Sequence, residues 1–255
     1  MIRLALAGAA LATLGACNAD KASTTGSATN VSASNGAAAA PVAPPANGDW
    51  SSVVTQTPEG GFAMGNPNAK VKLIEYGSLT CPACAAFEEQ GGKPLVDKYV
   101  KKGLVSFEFR NFVRDPYDIT AALVSRCGGA TSFFGLTRAF YANQKEWMGK
   151  AQTADPAQMQ ALQNQPPQAQ FKTIADITGF PAFAAMRGVP KAKTEACLAD
   201  PAAASQLVQM NSDAVSNFNL QGTPTFIING TTVELAGREP LWIQLEAKLK
   251  ESLGS

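Results

Sequence analysis

Cys81-Pro82-Ala83-Cys84 is the place in this chain where residue type and spacing together suggest covalent chemistry. Two thiols separated by two residues can open and close a disulfide with little backbone movement. A cysteine at a helix N-terminus is also shifted toward thiolate, the form that attacks other disulfides. Zinc sites and structural bridges use the same spacing, so the flanking residues have to decide between them. The apolar run Val71-Lys72-Leu73-Ile74-Glu75-Tyr76 ends just upstream and reads as a strand. Pro82 sits where proline is favoured, in the first turn of a helix, because its missing N–H would have no partner there.

The inventory removes several rivals. Histidine is absent, which excludes Cys/His zinc sites, Ser-His-Asp triads and Cys-His proteases. The net charge is +1 with no run of like charges, so nothing points to a nucleic-acid partner. Five cysteines remain, Cys17, Cys81, Cys84, Cys127 and Cys197, and the odd count needs an explanation in an exported protein.

The N-terminus supplies one. Met1-Ile2-Arg3 is a positive start, Leu4 to Leu14 is an apolar core too short to span a bilayer, and Leu14-Gly15-Ala16-Cys17 resembles a bacterial lipobox. Residues 1–16 are then a lipoprotein signal peptide and Cys17 the lipidated mature N-terminus, leaving four thiols that pair evenly. A plain secretory signal with an incidental cysteine is the alternative. Asn18 at the next position favours the outer membrane, with the protein on the periplasmic side of the envelope. Residues 17–49 are rich in alanine, serine, threonine, asparagine, glycine and proline, and read as a disordered tether.

The elements that must position the cysteines follow. Gly60 to Pro67 reads as a short strand running into a turn. The helix from Pro82 meets Gly91-Gly92 and Pro94, where a kink or break is expected, and resumes at Leu95. Leu104 to Arg110 alternates as a second strand, which makes a βαβ unit with a parallel pair. Residues 116–217 show no strand signal. Ile119 to Arg126, Phe133 to Trp147, Gln158 to Leu162, Phe171 to Ile177 and Ala202 to Phe218 have helical spacing, so this stretch is predicted to be an inserted helical domain. Strands return at Thr225 to Ile228 and Thr232 to Leu235 around Asn229-Gly230, a strong hairpin cue, and Arg238 to Leu253 reads as a closing amphipathic helix. The predicted architecture is α/β, residues 50–115 and 218–255 forming one domain around the insertion.

Three motifs in register, Glu-Tyr-Gly-Ser-Leu-Thr-Cys-Pro-Ala-Cys at 75–84, Phe-Glu-Phe-Arg-Asn-Phe at 107–112 and Gly-Thr-Pro-Thr-Phe at 222–226, make the chain resemble the DsbA-like thiol-disulfide oxidoreductases of the bacterial envelope, from about Gly61 to Leu253. The resemblance implies a thioredoxin fold with an inserted helical domain. It implies that Cys81 is a solvent-facing nucleophile, Cys84 the buried resolving thiol, and Cys81–Cys84 a redox disulfide. Thr223-Pro224 matches a cis-proline loop whose backbone binds an extended substrate strand. Glu75 matches a buried acid with a raised pKa that takes the proton from Cys84. Cys127 and Cys197 match a second, structural disulfide of the insertion. Neither cofactor nor metal is implied. The sequence departs from the best-known members at Ala83, where they carry histidine, so a less acidic Cys81 and a less oxidising couple are expected.

The expected function is disulfide exchange with exported thiol-containing proteins, as a monomeric dithiol oxidase recharged by an unidentified membrane redox partner. A reductase or isomerase held as the dithiol, and a non-catalytic lipid-anchored scaffold, are the alternatives. The redox state of Cys81 and Cys84 in the cell separates the first two, and Cys81→Ala in an exchange assay isolates the third.

Overall fold

The computed structural model describes residues 43–254. The predicted signal peptide 1–16, the predicted lipidation site Cys17 and most of the predicted tether lie outside the described residues. Within them, Asp49 accepts from Ser51 N at 2.9 Å and caps a short turn, Trp50–Ser52, whose Trp50 is buried.

Six strands form one sheet in the order β1-β2-β4-β3-β5-β6. They are β1 (Val54–Gln56), β2 (Phe62–Met64), β3 (Val71–Gly77), β4 (Val105–Asn111), β5 (Thr225–Ile228) and β6 (Thr231–Val233). β3 and β4 run parallel and every other pair is antiparallel. β3 lies inside the sheet and alternates cleanly at its start, with Val71, Leu73 and Glu75 on one face. Glu75 is therefore carried into the core by strand periodicity, with Phe109 of β4 and Phe226 of β5 as its cross-strand neighbours. Tyr76 and Ile227 on the opposite face meet Ala214 and Leu220.

The chain leaves β3 through residues 78–81 and enters α1 (Pro82–Phe87). Of the kink or break expected at Gly91-Gly92, the break does not occur, and the irregularity is a π turn. The helix continues through a π turn, Glu88–Gly92, then α2 (Lys93–Leu95) and a second π turn, Val96–Val100. A wide turn relieves the clash that Pro94 would impose on a regular α-helix. The glycine has a packing reason, since a Cβ at Gly91 would lie 2.8 Å from the Trp242 ring.

Eight helices then follow without a strand: α3 (Pro116–Arg126), α4 (Ala130–Ala142), α5 (Gln144–Gln152), α6 (Pro156–Leu162), α7 (Pro167–Thr178), α8 (Phe180–Ala185), α9 (Lys191–Ala199) and α10 (Pro201–Phe218). Phe140, Trp147 and Phe180 pack edge to face among them, with Phe140–Phe180 and Trp147–Phe180 centroids 4.9 and 5.3 Å apart. The single helical run predicted from Phe133 to Trp147 is two helices, because Asn143 leaves helical geometry at φ −110°, ψ 15°. α8 and α9 were not anticipated; Pro181 lies in the first turn of α8 and Pro190 is the N-cap of α9.

The Asn229-Gly230 turn joins β5 to β6 with both residues at positive φ, 49° and 85°, a geometry glycine adopts without steric cost. β6 stops at Val233 rather than Leu235, and the last helix, α11 (Leu241–Leu253), begins after Pro240 rather than at Arg238. β1 was also missed: three residues with little burial leave no periodic signature.

Candidate functional site

Cys81 is the N-cap of α1, with Pro82 at the first helical position. Its carbonyl accepts from Ala85 N at 3.2 Å, and the free N–H groups of Ala83 and Cys84 favour negative charge on its sulfur. Cys84, one turn on, is fully buried, and both cysteines are free thiols. Cys81 is less open than expected, at 4% exposed, because it sits under the loop before β5. Its sulfur lies 3.2 Å from the Thr223 carbonyl oxygen. The Thr223–Pro224 peptide is cis.

The two thiols are driven apart electrostatically. Cys81 falls from 9.0 to about 5, chiefly because Cys84 donates a hydrogen bond to its thiolate, with further help from Thr223 and the backbone N–H groups of Cys84 and Ala83 against the opposing effect of burial. Ala83 thus assists through its backbone although its side chain can do nothing. Cys84 moves strongly upward, mainly through burial, then through its bond to Cys81 and the nearby Glu75 charge. One sulfur is anionic at neutral pH and the other keeps its proton.

Glu75 is 2% exposed and its pKa is raised, first by burial between aromatic neighbours, then by the charges of Glu88 and Cys81. Glu88, one turn beyond Cys84, is pushed up to about 7 by burial, partly offset by Arg138 at 3.3 Å. Glu88 and Arg138 line a groove of about 630 Å³ whose walls also include Pro82, Tyr141 and Gln144. A smaller apolar cavity of about 230 Å³ opens on the other flank of Thr80, between Tyr117, Trp147 and Met148.

The loop carrying Cys81 is held from the insertion by two side chains that sequence reasoning did not single out. Asp118 of α3, fully buried, accepts from Ser78 Oγ at 2.6 Å, Leu79 N at 2.8 Å and Arg114 N at 3.0 Å. Gln144 of α5 donates through Nε2 to the carbonyls of Leu79 at 2.8 Å and Cys81 at 3.0 Å. Asp115 caps α3 and also accepts from Thr80 Oγ1 at 3.1 Å. The Asp115-Pro116-Tyr117-Asp118 run carried a legible helix-start signature. Nothing in the sequence ties Gln144 to the loop.

Residues 57–243, which carry the βαβ unit, the helical insertion and the returning hairpin, match a family model described as thioredoxin. The chain belongs to the thioredoxin family. Among solved structures, a protein-disulfide isomerase from Novosphingobium aromaticivorans is 35% identical, with a TM-score of 0.69, covering 76% of this chain and 97% of that one. Alpha-DsbA1 of Wolbachia pipientis shares the fold at 20% identity and a TM-score of 0.61, over 78% of this chain and 94% of its own. Among curated relatives, a protein named as a protein-disulfide oxidoreductase in Rickettsia bellii is 22% identical over 195 residues, and one of Rickettsia prowazekii 24% over 174. The matches take in 76% and 68% of this chain, and the chain spans 66% and 56% of those two relatives' lengths.

The remaining predicted residues are placed as follows. Cys127 and Cys197 form a disulfide within the insertion, with Cα atoms 5.9 Å apart. No cluster of candidate metal ligands occurs among the described residues, and none of their helices is long and apolar enough to cross a membrane.

Proposed function

We propose that this protein exchanges disulfides with extended polypeptide thiols and works as a dithiol oxidase. The observation that carries the reading is the split between the two cysteines, an acidic Cys81 at about 5 beneath the cis-proline loop and a buried Cys84 displaced the other way. Stabilising the Cys81 thiolate stabilises the dithiol form, and so makes the disulfide form a stronger oxidant.

In the oxidative half, a substrate thiolate attacks Cys81 Sγ of the Cys81–Cys84 disulfide. The S–S bond breaks and Cys84 leaves as a thiolate, which takes a proton from Glu75. A second substrate thiolate attacks the substrate sulfur of the mixed disulfide, and Cys81 leaves as its stabilised thiolate. The substrate has lost two electrons and the cysteine pair has gained them. The substrate lies along Thr223-Pro224, where main-chain pairing recognises an extended chain without regard to its sequence. Cys127–Cys197 serves as a structural bridge.

The substrates in this reading are exported proteins, met on the periplasmic side of the envelope, with a membrane redox partner restoring the disulfide. Support for export and for a lipid anchor at Cys17 comes from the first seventeen residues of the sequence. The 35% identical structure is named a protein-disulfide isomerase, which favours a second reading, in which the pair is held as the dithiol. Single-turnover oxidation of a dithiol peptide by the disulfide form, beside Cys81→Ser and a measured reduction potential, decides between them. Stoichiometric oxidation that Cys81→Ser abolishes is expected. Equal behaviour of the variant would end the enzymatic reading, and a potential near that of thioredoxin (about −270 mV) would favour the reductive one.

A further inference from the structure

Tyr141, near the end of α4, has a fully buried hydroxyl with no hydrogen-bond partner. A buried phenol without a partner is disfavoured relative to phenylalanine, so its retention calls for a use. Its position suggests one. Residue 77 is glycine, and a Cβ there would lie 2.9 Å from the Tyr141 hydroxyl oxygen and 2.6 Å from the Phe109 ring. The phenol thus occupies the space that a side chain at 77 would fill. On β3, residue 77 points to the same face as Glu75, two positions earlier. The hydroxyl is thereby set beside Glu75 on the side of the sheet that α1 covers.

We propose that Tyr141 is a positioning residue that donates its hydrogen bond to the buried anion formed when a proton passes between Cys84 and Glu75. The inference rests on the exchange reading above. The phenol remains protonated throughout: burial raises its pKa, and so do the charges facing it, Cys84 and Glu88 from the helix at α1, Glu75 from β3 and Asp118 from α3. The nearest cation on its own helix, Arg138, is paired with Glu88. No bond to Tyr141 forms or breaks. When Cys84 attacks a mixed disulfide at Cys81, its proton goes to the Glu75 carboxylate, the Cys81–Cys84 bond forms and the bound thiol leaves as thiolate. Before the transfer the anion is Glu75, wedged between Phe109 and Phe226. After it, the anion is the Cys84 sulfur. A donor that can rotate serves both.

Reduced protein mixed with oxidised glutathione separates the steps, because Cys81 first forms a glutathione mixed disulfide and Cys84 then expels the glutathione. Quenched samples read by mass give both rates from about pH 5 to 9. In Tyr141→Phe the first step and the Cys81 thiolate absorbance are expected unchanged. The second step should slow by roughly tenfold to hundredfold, the usual weight of a hydrogen bond to a charged group, and its pH midpoint should move up because the Glu75 carboxylate has lost a donor. On a Glu75→Gln background Tyr141→Phe should have far less effect, since the carboxylate it served is gone. A second step at the parent rate and pH profile would overturn the inference while leaving disulfide exchange standing, and so would equal slowing of both steps. A parent protein that forms no mixed disulfide would take both down.

Discussion

Replacing Asp118 with asparagine should change the stability of this protein in opposite directions at low and high pH. In the parent, burial raises Asp118 from 3.8 to about 7 even though three donors point at its carboxylate. The folded pKa lies above the unfolded one, so between about pH 4 and 7 the folded chain holds a proton that the unfolded chain has released. Stability therefore falls as pH rises through that window. The rise corresponds to about 4 kcal/mol lost between pH 4 and 8. Asp118→Asn carries no such charge, but it turns a nitrogen toward Ser78 Oγ and Arg114 N, which lie 2.6 and 3.0 Å from the Oδ2 it replaces. The hydroxyl can rotate to accept, whereas the Arg114 N–H cannot, and one unmet buried donor costs about 1–3 kcal/mol. The variant should then be less stable by that amount near pH 4.5 and more stable than the parent at pH 8. For a chain of this size a swing of about 4 kcal/mol moves the melting temperature by roughly 8–16 °C. Denaturant and thermal unfolding at pH 4.5, 6 and 8, with Cys81 and Cys84 in one redox state, would measure it. Glu88 titrates in the same window in both proteins and cancels in the comparison. A parent-to-variant difference that does not change with pH would refute the reasoning, because it would mean that the three donors outweigh burial.

Three further outcomes are expected. In reduced protein, thiolate absorbance near 240 nm should titrate with a midpoint of about 5 from Cys81 alone, and Ala83→His should make the couple more oxidising by about 30 mV for each 1.4 kcal/mol of added thiolate stabilisation, read by equilibration with glutathione. Gln144→Ala removes the donor to the Leu79 and Cys81 carbonyls, so it should cost about 1–3 kcal/mol of stability and shift the Cys81 titration, both measurable on the purified variant. Replacing Cys127 and Cys197 together with serine should lower unfolding stability by on the order of 4 kcal/mol, given a sequence separation of 70, while glutathione exchange at Cys81 stays within a few-fold of the parent.

Much of the architecture could be read from local signals. The short apolar run Val71 to Tyr76, proline at the head of a helix, and the Asn229-Gly230 turn each state a backbone preference that a few residues fix among themselves. Errors fell where the outcome depended on distant contacts. Gly91-Gly92 read as a kink or a break, and which of the two was decided by packing: the helix runs through as a π turn against Trp242, about 150 residues away. Cys81 was expected to face solvent, but the Thr223 loop covers it.

The sequence by itself determined the chemistry available, namely two thiols at a helix start, an acid six residues earlier, a Thr-Pro pair ahead of a strand, and no histidine to offer another route. Only the tertiary structure decided how those groups are tuned. The acidity of Cys81, the reluctance of Cys84 and the burial of Glu75 arise from desolvation and from groups brought in by other elements, while Asp118 of the insertion accepts from the loop carrying Cys81 and Gln144 donates to it. Such terms depend on distance and on the exclusion of water, and a linear spacing carries neither.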